Sequence, residues 1–219
     1  MINTEHYENI KEELKLTNTV LVAVSKTKPV EDIEALYRLG QRDFGENYVQ
    51  ELVDKQSALP EDIRWHFIGH LQSNKAKYIV PFVHLIHGVD SFKLLQEINK
   101  QAHKANRIID CLVQVHIAEE ETKFGFDEGE LKQLFTSDLS GLTNIRIVGM
   151  MGMASFSDDK EKVRGEFRRL KSFFDEHKPL VTSNCVLSII SMGMSGDYIL
   201  AIEEGSTLVR IGSLLFGKR

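Results

Sequence analysis

The chain has 219 residues, 42% of them hydrophobic and 27% charged, with a formal net charge of −5. That size gives one domain a sizeable core without disulfides or metal, and the acidic balance, with no Lys/Arg block carrying interleaved aromatics, argues against a nucleic-acid binder. No apolar run approaches the roughly 18 residues of a membrane span, and the polar, acidic residues 1–8 are no signal peptide, so a cytoplasmic protein without a membrane partner is expected.

Strand-like runs alternate with helix-period segments along the whole chain. The first run, residues 20–26, puts Val22, Val24 and Lys26 on one face. Pro29 then opens a helix whose apolar face is Val30, Ile33, Leu36 and Tyr37, stopped by Gly40. A second strand, 43–46, leads into Asn47, which with Gln50 three residues on reads as a helix start. Strands follow at 65–69, 85–89 and 111–117. The run Glu119-Glu120-Glu121 reads as a solvated loop. Asp127 and Glu130 have capping-box spacing ahead of Leu131, Leu134 and Phe135. After a strand at 145–153, Val163, Phe167, Leu170, Phe173 and Phe174 form another helical stripe, and the last strands are 186–192 and 208–212. Cys111 and Cys185 lie far apart in apolar runs and read as reduced core residues. Several strands are apolar on both faces, as in a buried parallel sheet. The alternation predicts one domain over residues 1–219, either a (β/α)₈ TIM-type barrel or a doubly wound open sheet.

In a barrel, the C-terminal ends of the strands hold the chemistry. Lys26 there would be partly desolvated, which disfavours the ammonium and frees an amine for Schiff-base formation. By strand position alone, the plainer reading is a lysine marking where the strand meets water. Leu208, Arg210 and Gly212 share a face of the last strand. Gly212 and Ser213 offer backbone N–H groups and a hydroxyl at a helix start, which suits either phosphate or an ordinary turn. The turn Ser191-Met192-Gly193-Met194-Ser195-Gly196-Asp197 is not a nucleophile elbow but suits further phosphate contacts, with Asp197 as a helix N-cap. Asn47 reads as a cap that could also meet a ligand. His84 with His87, and His66 with His70, lack the spacing and context of a zinc site, so no metal is expected.

These residues fall into motifs. Ala23-Val24-Ser25-Lys26-Thr27-Lys28-Pro29, Phe44-Gly45-Glu46-Asn47-Tyr48-Val49-Gln50-Glu51, Trp65-His66-Phe67-Ile68-Gly69 and Leu71-Gln72-Ser73-Asn74-Lys75 come in order. Lys123-Phe124-Gly125-Phe126, Met192-Gly193-Met194-Ser195 and Gly205-Ser206-Thr207-Leu208-Val209-Arg210-Ile211-Gly212 follow. Together they resemble the pyridoxal 5'-phosphate (PLP) homeostasis protein family over nearly the whole chain. The resemblance implies a fold-type III barrel, shared with the N-terminal domain of alanine racemase but without that enzyme's added β-domain. It implies that Lys26, not Lys28, forms the Schiff base with PLP. Arg210 would face the pyridine nitrogen, Ser191, Gly212 and Ser213 would hold the phosphate, and Asn47 would lie near the ring. Two departures, His70 in place of a proline and Gly149-Met150-Met151-Gly152-Met153, bear on packing beside the cofactor.

Arginine can only donate, so an Arg210 facing the ring nitrogen leaves it unprotonated and the ring a poor electron sink. None of the five tyrosines is an obvious second acid/base. The expected function is therefore a non-enzymatic, monomeric holder of PLP that supplies cofactor-free PLP-dependent enzymes. The alternatives are a PLP enzyme with weak amino-acid racemase activity and, further off, a sugar-phosphate barrel enzyme. Lys28 is a candidate relay, though an exposed loop lysine is the simpler reading.

Overall fold

Strands that are apolar on both faces must be covered on both, and a closed parallel barrel ringed by helices does this. The computed structural model describes residues 2–118 and 124–217. Its strands are β1 (Val20–Val24), β2 (Asp43–Glu46), β3 (Arg64–Phe67), β4 (Leu85–Val89), β5 (Ile109–Gln114), β6 (Ile145–Met151), β7 (Cys185–Met194) and β8 (Leu208–Ile211). Each pairs in parallel with the next, and β8 pairs with β1, so the sheet closes and the open doubly wound alternative falls away. The run Glu119-Glu120-Glu121 lies outside the described residues.

The period of two along each strand sorts the core into two layers. Leu21, Ala23, Ile86, Cys111, Val113, Met150 and Val209 face the helices in one large buried cluster. Their neighbours Val22, Leu85, Leu112, Met151 and Leu208 form a separate cluster, the lumen of the barrel. Gly149 permits the close approach of β6 to β7: a Cβ there would lie 1.9 Å from the Ile189 carbonyl oxygen. The unusual glycine-methionine run at this point is thus a packing requirement.

Helices α1 (Thr4–Thr17), α2 (Val30–Arg38), α3 (Val49–Ala58), α4 (Ala76–Ile79), α5 (Phe92–Lys104), α6 (Glu128–Thr136), α7 (Lys160–His177), α8 (Tyr198–Glu203) and α9 (Ser213–Phe216) surround the barrel. The capping box of α6 forms with both hydrogen bonds, Asp127 with Glu130. Two expected caps do not form. Asn47 stands one residue outside α3, whose N-cap is Tyr48 with no side-chain bond. Asp197 occupies the N-cap of α8 but turns its carboxylate back to accept from the Met194 N–H at 2.5 Å. Both residues are thereby available at the barrel mouth. No helix among the described residues is long and apolar enough to cross a membrane.

Candidate functional site

The C-terminal strand ends open on a cavity of about 370 Å³, a size typical of small-molecule sites. Lys26, Asn47, Arg210, Gly212 and Ser213 line it together with Ser195, Gly196 and Asp197. Val24, Ile68, Met153 and Phe156 supply apolar walls.

Lys26 reaches this position because β1 ends early. The strand stops at Val24, two residues before the predicted end, and the chain turns with Thr27 at φ +64°. The Lys28 N–H donates to the Ser25 carbonyl at 3.0 Å, and the Thr27 N–H donates to Glu51 Oε1 at 2.5 Å. Beneath this turn lies a charged group that sequence reasoning missed. Lys55 Nζ donates to the Ser25 carbonyl (2.8 Å), to Glu46 Oε1 (2.7 Å) and to Glu51 Oε1 (2.6 Å). The Ser25 hydroxyl donates to the same Glu46 oxygen at 2.7 Å. Burial pushes the Glu46 carboxyl above its ordinary range, against the opposing pull of Lys55. A helix lysine gives no sequence sign of burial except its spacing, four residues after Glu51.

Arg210 is buried. Its Nη1 donates to the Ser191 carbonyl (2.9 Å) and hydroxyl (2.5 Å), and its Nη2 donates to the Gly152 carbonyl (3.1 Å). Burial lowers its pKa to about 10, so it remains a cation at neutral pH. Ser191 is fully buried and is not among the cavity-lining residues; it lies beneath Arg210. The hydroxyl at the mouth belongs instead to Ser195, whose Oγ accepts from the Gly212 N–H at 3.2 Å. The final helix is a single turn, so Gly212 and Ser213 offer local donors more than a helix dipole.

Asn47 Oδ1 is buried without a hydrogen-bond partner. Such an orphan costs about 1–3 kcal/mol, which a donor on a bound molecule would offset. Gly69 brings it here: a Cβ at that position would lie 2.4 Å from the Asn47 carbonyl oxygen. Lys28 is neither free nor a plain loop lysine. It also lines the cavity, but its Nζ is held by the carbonyls of Phe216 (2.9 Å) and Gly217 (3.2 Å). His70 Nδ1 meets Asp90 Oδ2 at 2.8 Å and the ring stacks on Phe124 at 4.1 Å; His70 is not among the cavity-lining residues.

At the opposite end of the barrel, ligand atoms of Asp43, His66 and His84 lie within 4.8 Å of one another. The Asp43 oxygens are engaged there by Arg64 Nε (2.7 Å) and Nη2 (2.5 Å), a bidentate pair that a metal would have to displace.

Residues 4–219 match the family model described as alanine racemase, N-terminal domain. A pyridoxal phosphate homeostasis protein of Aquifex aeolicus is 45% identical, over 91% of this chain and 86% of the relative. The human protein of the same name is 38% identical, over 91% of this chain and 76% of its own length. PipY of Synechococcus elongatus has been solved without PLP (TM-score 0.91, 35% identity) and with PLP bound (TM-score 0.85, 34% identity). Each alignment covers 97% of this chain and 99% of that one. Alanine racemase of Bartonella henselae shares the fold, at TM-score 0.69 and 19% identity, with 96% of this chain aligned to 58% of the enzyme.

Proposed function

This chain belongs to the pyridoxal phosphate homeostasis protein family, and on that footing we propose that it binds PLP at the barrel mouth and supplies it to cofactor-free PLP-dependent enzymes in the cytoplasm. The observation that carries the reading is the convergence of a primary amine, an arginine and a hydroxyl-and-amide cradle on one cavity: Lys26, Arg210, and Ser195 with Gly212 and Ser213. The orphaned Asn47 oxygen adds a polar atom in need of a partner. PLP supplies, when bound, an aldehyde that condenses reversibly with an amine and an electron-withdrawing ring.

Lys26 is the amine for attachment. Its turn is fixed from below by Lys55, which holds the Ser25 carbonyl, and Lys26 lines the cavity. Val24, Ile68 and Met153 form apolar walls of the same cavity. Arg210 would donate to the ring nitrogen and hold it without a proton. Ser195, Gly212 and Ser213 would take the phosphate, with Asn47 beside the ring. Ser191, buried under Arg210, serves the arginine and not the phosphate.

Among the described residues lining the cavity, only Lys26, Lys28, Asp197 and Arg210 carry ionisable side chains. Lys28 is tied to two carbonyls, and Asp197 is bonded to the Met194 N–H, its pKa raised by burial. No tyrosine is among these lining residues. A second acid/base facing Lys26, which racemisation requires, is thus missing from the set, and holding and release is the better reading. We place the protein as a monomer.

The test is transfer. PLP-loaded protein mixed with a cofactor-free PLP enzyme should restore its activity while the concentration of free PLP stays too low to do so. Activation that only tracks the free PLP concentration would refute the carrier role. Solvent deuterium appearing at Cα of any amino acid in a broad panel would instead make the protein an enzyme.

A further inference from the structure

TIM-barrel lumens are normally filled by branched apolar side chains, but a line of polar groups crosses this one. Asp43 starts β2, His66 lies on β3, His87 on β4, Ser191 on β7 and Arg210 on β8. Asp43 Oδ1 meets His66 Nε2 at 3.0 Å, His66 Nδ1 meets His87 Nε2 at 2.9 Å, and His87 Nδ1 meets Ser191 Oγ at 3.0 Å. Ser191 Oγ then accepts from Arg210 at 2.5 Å. All five residues are buried. The line runs from Asp43 and its Arg64 partner, at the N-terminal end of the strands, to the cavity at the other end.

Its direction follows from what each group can do. Arg210 only donates and an ionised Asp43 only accepts. With one proton on each ring, a single assignment satisfies every contact. Arg210 donates to Ser191, whose hydroxyl donates to His87 Nδ1; His87 Nε2–H donates to His66 Nδ1, and His66 Nε2–H donates to Asp43. Burial holds His87 well below the ordinary imidazole range, with the Arg210 charge adding to the effect, so its ring is neutral as this assignment requires. The other charged or titratable groups facing the line are Arg64 from β3, His84 ahead of β4, Asp110 from β5 and Asp197 ahead of α8. Chains of buried hydrogen bonds polarise one another, so a change at one end is felt at the other.

We propose that His87 and His66, anchored by Asp43, are positioning residues that orient Arg210 toward the cofactor ring through Ser191. This rests on the PLP site proposed above. It assigns a role in cofactor binding to His66, a residue that does not line the cavity and stands three hydrogen bonds from Arg210.

The experiment compares wild type with His66→Gln, Ser191→Ala and Ser191→Thr. Absorbance of the PLP-loaded proteins is read from about pH 5 to pH 9, the range in which imidazoles titrate. Ser191→Ala should weaken PLP binding by about tenfold, the loss of a hydrogen bond to a charged group. It should also move the midpoint of the absorbance–pH curve, and Ser191→Thr should restore both. His66→Gln should move the midpoint in the same direction. A His66→Gln curve superimposable on wild type would overturn the proposal. If His66→Gln does not fold, failure of Ser191→Thr to rescue Ser191→Ala does the same. In the cofactor-free protein, ¹⁵N resonances should show His87 protonated on Nε2 and should shift at Nδ1 in Ser191→Ala. A His87 protonated on Nδ1 overturns the line itself, whether or not the wild type binds PLP. A wild type that binds no PLP refutes the proposed function and leaves that resonance test standing.

Discussion

Lys55 is buried because three oxygens need it. Without its ammonium, Glu46 would be left in the interior with a lone donor, the Ser25 hydroxyl, and one oxygen already unpaired. Removing one partner of a buried ion pair costs about 3–5 kcal/mol. Lys55→Met should therefore lower unfolding stability by about that amount, measured by chemical denaturation of the cofactor-free protein. It should also weaken PLP binding, because the Lys26 turn loses its support; an unchanged denaturation midpoint would remove Lys55 from the account. Lys26 itself was legible as a strand-end lysine, but position alone favoured a lysine that merely meets water, and the family motif around it decided the expectation. Lys55 carried no comparable signal, since a lysine on an amphipathic helix is ordinarily solvated. Of the residues expected around a phosphate, Gly212 and Ser213 line the cavity and Ser191 does not. Ser191 and Ser195 are four residues apart on one segment, and only the way β7 runs on to Met194 lifts Ser195 to the mouth and leaves Ser191 in the lumen.

The loops after the strands carry the site, and two of them constrain it through the backbone. Gly69, just past β3, allows the backbone after β2 to pass close enough to seat Asn47. Gly69→Ala should displace Asn47 and weaken PLP binding by about tenfold, the equivalent of one lost hydrogen bond. Equilibrium titration checks this, and an unchanged dissociation constant would mean that Asn47 contributes nothing. Ser195→Ala removes the hydroxyl that meets the Gly212 N–H and should weaken PLP more than pyridoxal, which lacks the phosphate; equal losses would place Ser195 elsewhere than at the phosphate. Strand positions were readable from apolar runs and turn residues, with errors of a few residues at the ends. The strand ends blur because a parallel strand and the loop leaving it can be equally apolar, as with Ile68 and Met153. The caps were misjudged at Asn47 and Asp197, where the side chain that looked free to cap a helix faces the barrel mouth.

The lumen sets how the whole molecule responds to acid. His87 is held below the ordinary imidazole range, chiefly by burial. A depressed folded pKa contributes stability that is present above the unfolded value of about 6.5 and lost as pH falls toward the folded one. Burial would raise the Asp43 carboxyl, but hydrogen bonds from Arg64 and His66 outweigh it and hold it well below the carboxylate range. Its contribution has the same sign and is lost lower, below about pH 4. Glu46, raised by burial, acts in the opposite sense: its contribution is full below its unfolded pKa and is lost as pH rises through the folded one. Denaturation midpoints of the cofactor-free protein should therefore fall as pH drops from about 6.5, and His87→Asn should flatten that upper limb. An unchanged limb in His87→Asn would mean that the histidine is not the buried neutral group described.

The barrel brings Lys26, Arg210, Ser195, Gly212 and Ser213 to one cavity at its mouth. Reduction of the PLP-loaded protein with borohydride, followed by peptide mass mapping, tests this most directly. A single pyridoxyl-phosphate adduct is expected on Lys26, lost in Lys26→Ala and kept in Lys28→Ala. An adduct on Lys28 or on any other lysine, or none at all, would contradict it.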